Sequence, residues 1–120
     1  MFEIEFYEDK NGNSEIINYI HELDKETNNK DDRIKLKKIT QYIEMLEEEG
    51  FELREPHIKH LYKEIWELRP LKDRILFASL YENKIILLSV FRKETKKTLV
   101  REILKARKLL KDFKERRNIN

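Results

Sequence analysis

Four cations, Arg69, Arg74, Arg92 and Lys93, stand at the ends of three strand-like runs, and Glu67 precedes the first of them. Arg69 closes the run from Glu64, Arg74 opens the run to Tyr81, and Arg92 and Lys93 follow the run Lys84 to Phe91. In consecutive antiparallel hairpins the start of one strand lies beside the end of the next, so these cations are expected to gather at one end of a sheet. Alternation in the first run puts Ile65, Glu67 and Arg69 on one face and Trp66 and Leu68 on the other. Arginine presents a bidentate fork to phosphate oxygens and lysine a point charge. Such a cluster suits a phosphodiester and the negative charge that builds on it during cleavage. Arg74, at a strand end, is expected to contact phosphate without taking part in core packing. A lysine crowded by like charges is a candidate base, which fits Lys93; Glu67 is either a second base or the group that orients Arg69. Charge placed only to guard a sheet edge needs no clustering.

Other chemistries lack their residues. Cysteine is absent, which removes disulfides, thiolate-bound metals and thiol nucleophiles. With only Gly12 and Gly50 there is no Gly-rich phosphate loop, and neither a Gly-x-Ser-x-Gly nor a His-Glu-x-x-His pattern occurs. His57 and His60 lie one helical turn apart without an evident third ligand. No metal and no cofactor are expected.

The elements that must hold this cluster follow from spacing. A chain of 120 residues is expected to form one domain, 1–120. Charged residues make up 42% and hydrophobic ones 39%, so the core must come from well-spaced apolar positions. Residues 1–55 carry a net charge of −8 and residues 56–120 a net charge of +10. The basic part suits a polyanion, and nucleic acid is the commonest one. The longest apolar run, Ile85 to Val90, is far short of the roughly 18 residues of a membrane helix. The acidic N-terminus is no signal peptide, so a cytoplasmic location without membrane contact is expected.

Phe2 to Tyr7 alternates apolar and acidic residues, the period of a strand. Asn13 or Ser14 can cap a helix through Ile16, Ile17, Ile20 and Leu23 to about Lys25. A polar break at Thr27 to Lys30 leads to a second helix along Ile34, Leu36, Ile39, Tyr42, Ile43 and Leu46, stopped by Gly50. Ile58 to Leu61 fits a short strand or a single turn. The three strand-like runs then form a meander. Leu99, Ile103, Ala106, Leu110 and Phe113 make the apolar stripe of a last helix, and the tail Arg116 to Asn120 is expected to fray. The order describes an α+β fold: an N-terminal strand and helical hairpin, an antiparallel meander and a C-terminal helix.

Read together, Ile58-Lys59-His60-Leu61, Ile65-Trp66-Glu67-Leu68-Arg69-Pro70, Asp73-Arg74-Ile75-Leu76-Phe77 and Leu88-Ser89-Val90-Phe91-Arg92-Lys93, followed by Glu102 and Ala106, resemble a known pattern. The chain is similar to the RelE/ParE toxin superfamily, on the HigB-like, phage-derived branch of type II toxin–antitoxin systems. The resemblance implies the RelE-like fold and a metal-independent endoribonuclease that cuts mRNA, often on the ribosome. Its implied partner is a helix-turn-helix antitoxin of the HigA kind, with a heterotetramer as one assembly. It implies catalytic positions at Arg74, Lys93, Arg69 and Glu67, and RNA contacts at Lys59, His60, Arg92, Lys96 and Lys97. Two departures stand out. Thr98 precedes Leu99 where many members carry proline, leaving Thr98 as the expected cap, and no Tyr or His after Lys93 supplies a general acid or base. The same fold also serves gyrase-poisoning ParE-like toxins, and a non-catalytic nucleic-acid-binding module would share the basic surface. Glu47-Glu48-Glu49 opposes its helix dipole, so that end of the hairpin is the expected antitoxin surface, with the basic cleft as the alternative.

Overall fold

A computed structural model describes residues 1–25 and 28–119. Its elements are β1 (Glu3–Phe6), α1 (Glu15–Lys25), α2 (Lys30–Glu49), a 3-10 turn at Gly50–Glu52, β2 (Ile58–Tyr62), β3 (Ile65–Leu68), β4 (Asp73–Ser79), β5 (Lys84–Arg92) and α3 (Lys96–Arg116). This is the expected α+β order. Ser14 caps α1, its Oγ accepting the Ile17 N–H at 3.3 Å. Asn29 caps α2 through Oδ1 and the Asp32 N–H at 3.1 Å; Thr27, in the expected break, lies outside the described residues.

The cap of α3 differs from expectation. Thr95 fills that role, its hydroxyl accepting the Thr98 N–H at 3.2 Å, because the helix starts a turn earlier than its apolar stripe. Thr98 sits inside the first turn. The tail also differs as far as Ile119; Asn120 lies outside the described residues. Asn118 turns at φ +54°, the Ile119 N–H donates to the Lys114 carbonyl at 2.8 Å, and Ile119 packs on the core beneath α3. An apolar residue just past a left-handed position closes a helix rather than fraying it.

The sheet runs β1-β5-β4-β3-β2, with β1 parallel to β5 and every other pair antiparallel. Ile58–Tyr62 is therefore a strand, pairing Lys59 with Glu67 and His60 with Trp66. One face carries Ile58, Trp66, Leu68, Ile75, Phe77, Ile85 and Leu87 against the helical hairpin. The other carries Ile65, Leu76, Ala78, Ile86 and Leu88 against Ala106, Leu110 and Phe113 of α3. Each fully buried aliphatic side chain contributes about 1.5–3 kcal/mol, so both faces are needed to stabilise so polar a chain. Gly50 ends α2 at φ +56°, and a Cβ there would collide with the Phe2 ring. Glycine answers both demands. Among the described residues, no helix is long and apolar enough to cross a membrane.

Nothing in α3 before Ala106 is fully buried, so the helix covers the sheet with its C-terminal half. The other end of that face holds Glu67, Arg69, Arg74 and Lys93.

Candidate functional site

Glu67 is the centre of the cluster. It lies on the α3 side of β3, opposite Leu76, and is only 5% exposed. Its Oε1 sits 3.3 Å from Nε of Arg69 and 3.8 Å from Nε of Arg74. Arg74 is itself 7% exposed, and its Nη1 donates to the carbonyls of Leu71 at 2.7 Å and Asp73 at 2.8 Å. Leu71 adopts φ +57° in the turn that offers its carbonyl, a conformation costing about 1 kcal/mol or more for such a residue. Arg74 thus belongs to the packed interior, contrary to the expectation of a strand-end phosphate contact. A guanidinium brought this deep needs partners, and here two carbonyls accept from Nη1 while the Glu67 carboxylate lies at ion-pair distance from Nε.

The outer cations are graded by exposure. Arg69 is half-buried, while Lys59 and Lys93 are exposed. Lys59 stands directly opposite Glu67 on β2. Lys93 continues the ladder past β5, its N–H donating to the Lys72 carbonyl at 3.0 Å. Arg74, Arg69, Lys59 and Lys93 all act electrostatically on the Glu67 carboxylate, which places the four around one acid.

A β-bulge decides which residue after β5 joins them. Leu76 pairs with Ser89 and Phe77 with Leu87, leaving Leu88 unpaired as an extra residue. Unbroken alternation from Ile85 would turn Arg92 toward α3 and Lys93 toward the hairpin. With the bulge, Phe91 falls opposite Arg74 and Arg92 opposite Asp73. Lys93 therefore shares the face of Glu67. Arg92 lies on the hairpin side, where with Asp31, Ile34, Lys35, Leu71, Lys72 and Asp73 it lines a separate cleft. The expected gathering of four cations holds for Arg69, Arg74 and Lys93, with Lys59 in place of Arg92.

The remaining expected residues divide. His60 is on the hairpin face, its ring 4.9 Å from Trp66 and its Nε2 2.6 Å from the Lys63 carbonyl, so Nε2 carries the proton. It is not brought to Glu67. Lys96 and Lys97 are exposed in the first turn of α3, which contains no acidic residue. Cations there oppose the helix dipole at about 0.3–1 kcal/mol each, a cost that a bound anion would offset. Among the described residues no group of three or more candidate metal ligands occurs.

Sequence reasoning did not single out Ser89 or Asp73. Ser89 is fully buried beside the bulge and its Oγ has no hydrogen-bond partner among the described residues. Asp73 is 5% exposed and accepts the Tyr19 hydroxyl. Its place immediately before Arg74 was the one available signal.

Burial raises the Glu67 carboxyl above its ordinary value, and the pull of Arg74, Arg69, Lys59 and Lys93 in the opposite direction does not cancel it. A folded pKa above the unfolded one means that folding favours the protonated form. The contribution of Glu67 to stability is therefore fully present below the unfolded pKa and is lost as pH rises through the folded one. Glutamine at this position stays neutral throughout. The Tm of Glu67→Gln minus that of the wild type should rise as pH increases from about 4.3, the ordinary glutamate value, and level off once the folded carboxyl is ionised. A difference independent of pH in thermal melts would mean that Glu67 titrates as it does in the unfolded chain.

The family model described as phage-derived protein, Gp49-like, matches residues 18–111, a stretch that runs from α1 into α3 and includes the whole cluster. No curated protein matches the chain.

Proposed function

The chain belongs to the phage-derived Gp49-like family, which is associated with RelE-like toxins, and from that premise we propose that it is the toxin of a type II toxin–antitoxin pair, of the HigB-like kind. Its activity in this reading is metal-independent endoribonucleolytic cleavage of mRNA on the ribosome, in the cytoplasm, with a helix-turn-helix antitoxin as its partner. The observation that carries the reading is the layered cluster: a buried Glu67 bracing Arg69 and Arg74, with exposed Lys59 and Lys93 at its rim.

Cleavage without a metal proceeds by attack of the ribose 2′-oxygen on phosphorus. The 2′-hydroxyl gives up its proton to a base. The 5′-oxygen leaves as a hydroxyl after taking a proton from solvent, and a 2′,3′-cyclic phosphate remains. The barrier falls when the charge on the phosphorane oxygens meets donors already in place. Arg69 and Lys93 are the donors that reach solvent. Arg74 and Glu67 act beneath them: the carboxylate holds Arg69, and Arg74, pinned by backbone carbonyls, holds the carboxylate. Lys59, Lys96 and Lys97 bind flanking phosphates, where single cations add affinity that salt screens. Glu67 in this scheme is a positioning residue.

Primer extension on cellular mRNA after brief induction of the gene should reveal new 5′ ends within coding regions. Residual cleavage of ribosome-free RNA by the purified protein at high concentration should persist in excess EDTA. Growth arrest without new RNA ends, accompanied by DNA breaks, would instead identify a gyrase poison. Loss of cleavage on chelation would overturn the metal-independent mechanism.

A further inference from the structure

Behind the Glu67 cluster, on the hairpin side of the sheet, the Tyr19 hydroxyl of α1 meets the Asp73 carboxylate at 2.9 Å from Oδ2 and 3.1 Å from Oδ1. Neither side chain has a part in the cleavage scheme. Placing an ionised carboxylate at 5% exposure is costly unless a strong donor faces it, and a phenol bonded to a carboxylate is such a donor. Burial, followed by the Asp73 hydrogen bond and charge, pushes the Tyr19 phenol well above its ordinary range, so it remains a donor at neutral pH. Arg92 and Asp32 also act on the phenol, in opposite directions.

The backbone of Asp73 leads to the other face. Its carbonyl accepts Arg74 Nη1 at 2.8 Å, and its N–H donates to the Pro70 carbonyl at 3.1 Å, closing the turn. The same turn presents the Leu71 carbonyl to Arg74 from a left-handed conformation, which persists only if its surroundings over-determine it. The Lys93 N–H is tied to the Lys72 carbonyl of this turn. One short segment thus holds Arg74 and the start of the Lys93 segment, and the hairpin grips that segment through a hydrogen bond to its last side chain.

We propose that Tyr19 and Asp73 are positioning residues whose hydrogen bond, made on the opposite face of the sheet, holds the turn from Pro70 to Asp73 in the shape that fixes Arg74 and, through Glu67, Arg69. The activity part of this inference rests on the RNA-cleavage reading; the structural part does not.

Tyr19→Phe removes only the hydroxyl and keeps the ring, which packs in the hairpin-side core. Two measurements on the intact chain test the link: exchange of the Arg74 Nε–H with water by NMR, and the kcat and KM of RNA cleavage. In Tyr19→Phe the exchange should accelerate about tenfold and kcat should fall about tenfold while KM holds, the signature of displaced catalytic groups. Asp73→Asn retains an acceptor oxygen and should stay close to the wild type in both. An unchanged Arg74 exchange rate in Tyr19→Phe would overturn the proposal. So would acceleration shared equally by backbone amides across the fold, an equal loss in Asp73→Asn, or faster exchange with unchanged kcat. If the wild type cleaves no RNA, the functional reading fails and the exchange rates alone decide the link.

Discussion

Replacing Arg74 by alanine should lower both activity and stability, the second by about 3 kcal/mol, or roughly 10 °C in Tm for a chain of this size. Removing the guanidinium strips Glu67 of one partner in a site that is 5% exposed, and leaves the carbonyls of Leu71 and Asp73 without their donor. Breaking one side of a buried pair costs more than the pair contributes when intact. Arg74→Ala combined with Glu67→Gln should therefore recover part of the lost Tm without recovering cleavage. Arg74→Lys keeps the charge but not the fork, and should recover little of either. A single Arg74→Ala variant that melts with the wild type would show that the guanidinium is a surface group after all.

Lys93→Ala is expected to separate the two properties. Lys93 is exposed, so its truncation should leave Tm within about 1 °C of the wild type, as exposed substitutions commonly do. Losing one preorganised cation at a phosphorane costs on the order of a hundredfold in kcat. Induction of Lys93→Ala should then permit growth, and primer extension should show few new RNA ends. Arg92→Ala, one residue earlier, should remain toxic at equal expression. The two substitutions alter the chain's net charge identically. If Arg92→Ala is the variant that loses cleavage, the active surface lies on the hairpin side, around the cleft with Asp73.

Much of this was legible from spacing. Residues along Ile34 to Leu46 and Ala106 to Phe113 recur with one helical face, and long periodic elements declare themselves. The meander and the meeting of Arg69 with Arg74 followed from hairpin geometry. Ile58–Tyr62 stayed ambiguous because a five-residue edge strand, with Lys59 and His60 exposed, has too few buried positions to establish a period. Two features of the site were out of reach for physical reasons. The depth of Arg74 depends on backbone carbonyls, which no residue type announces. The side taken by Lys93 depends on one unpaired residue within the run Ile85 to Leu88, where every side chain is apolar and alternation is invisible.

That unpaired residue has a genetic consequence. An in-frame gain of one codon among residues 87–90, taken up with the single bulge retained, would exchange the surroundings of two neighbouring cations and deliver Arg92 to the acid that Lys93 now faces. Every charged residue would still be encoded, and the basic tally of the protein would be untouched. A cell burdened by this gene could be relieved of it by a three-base insertion in a stretch of aliphatic codons, and a survey that compares only the charged positions of such alleles would score the disarmed copy as intact.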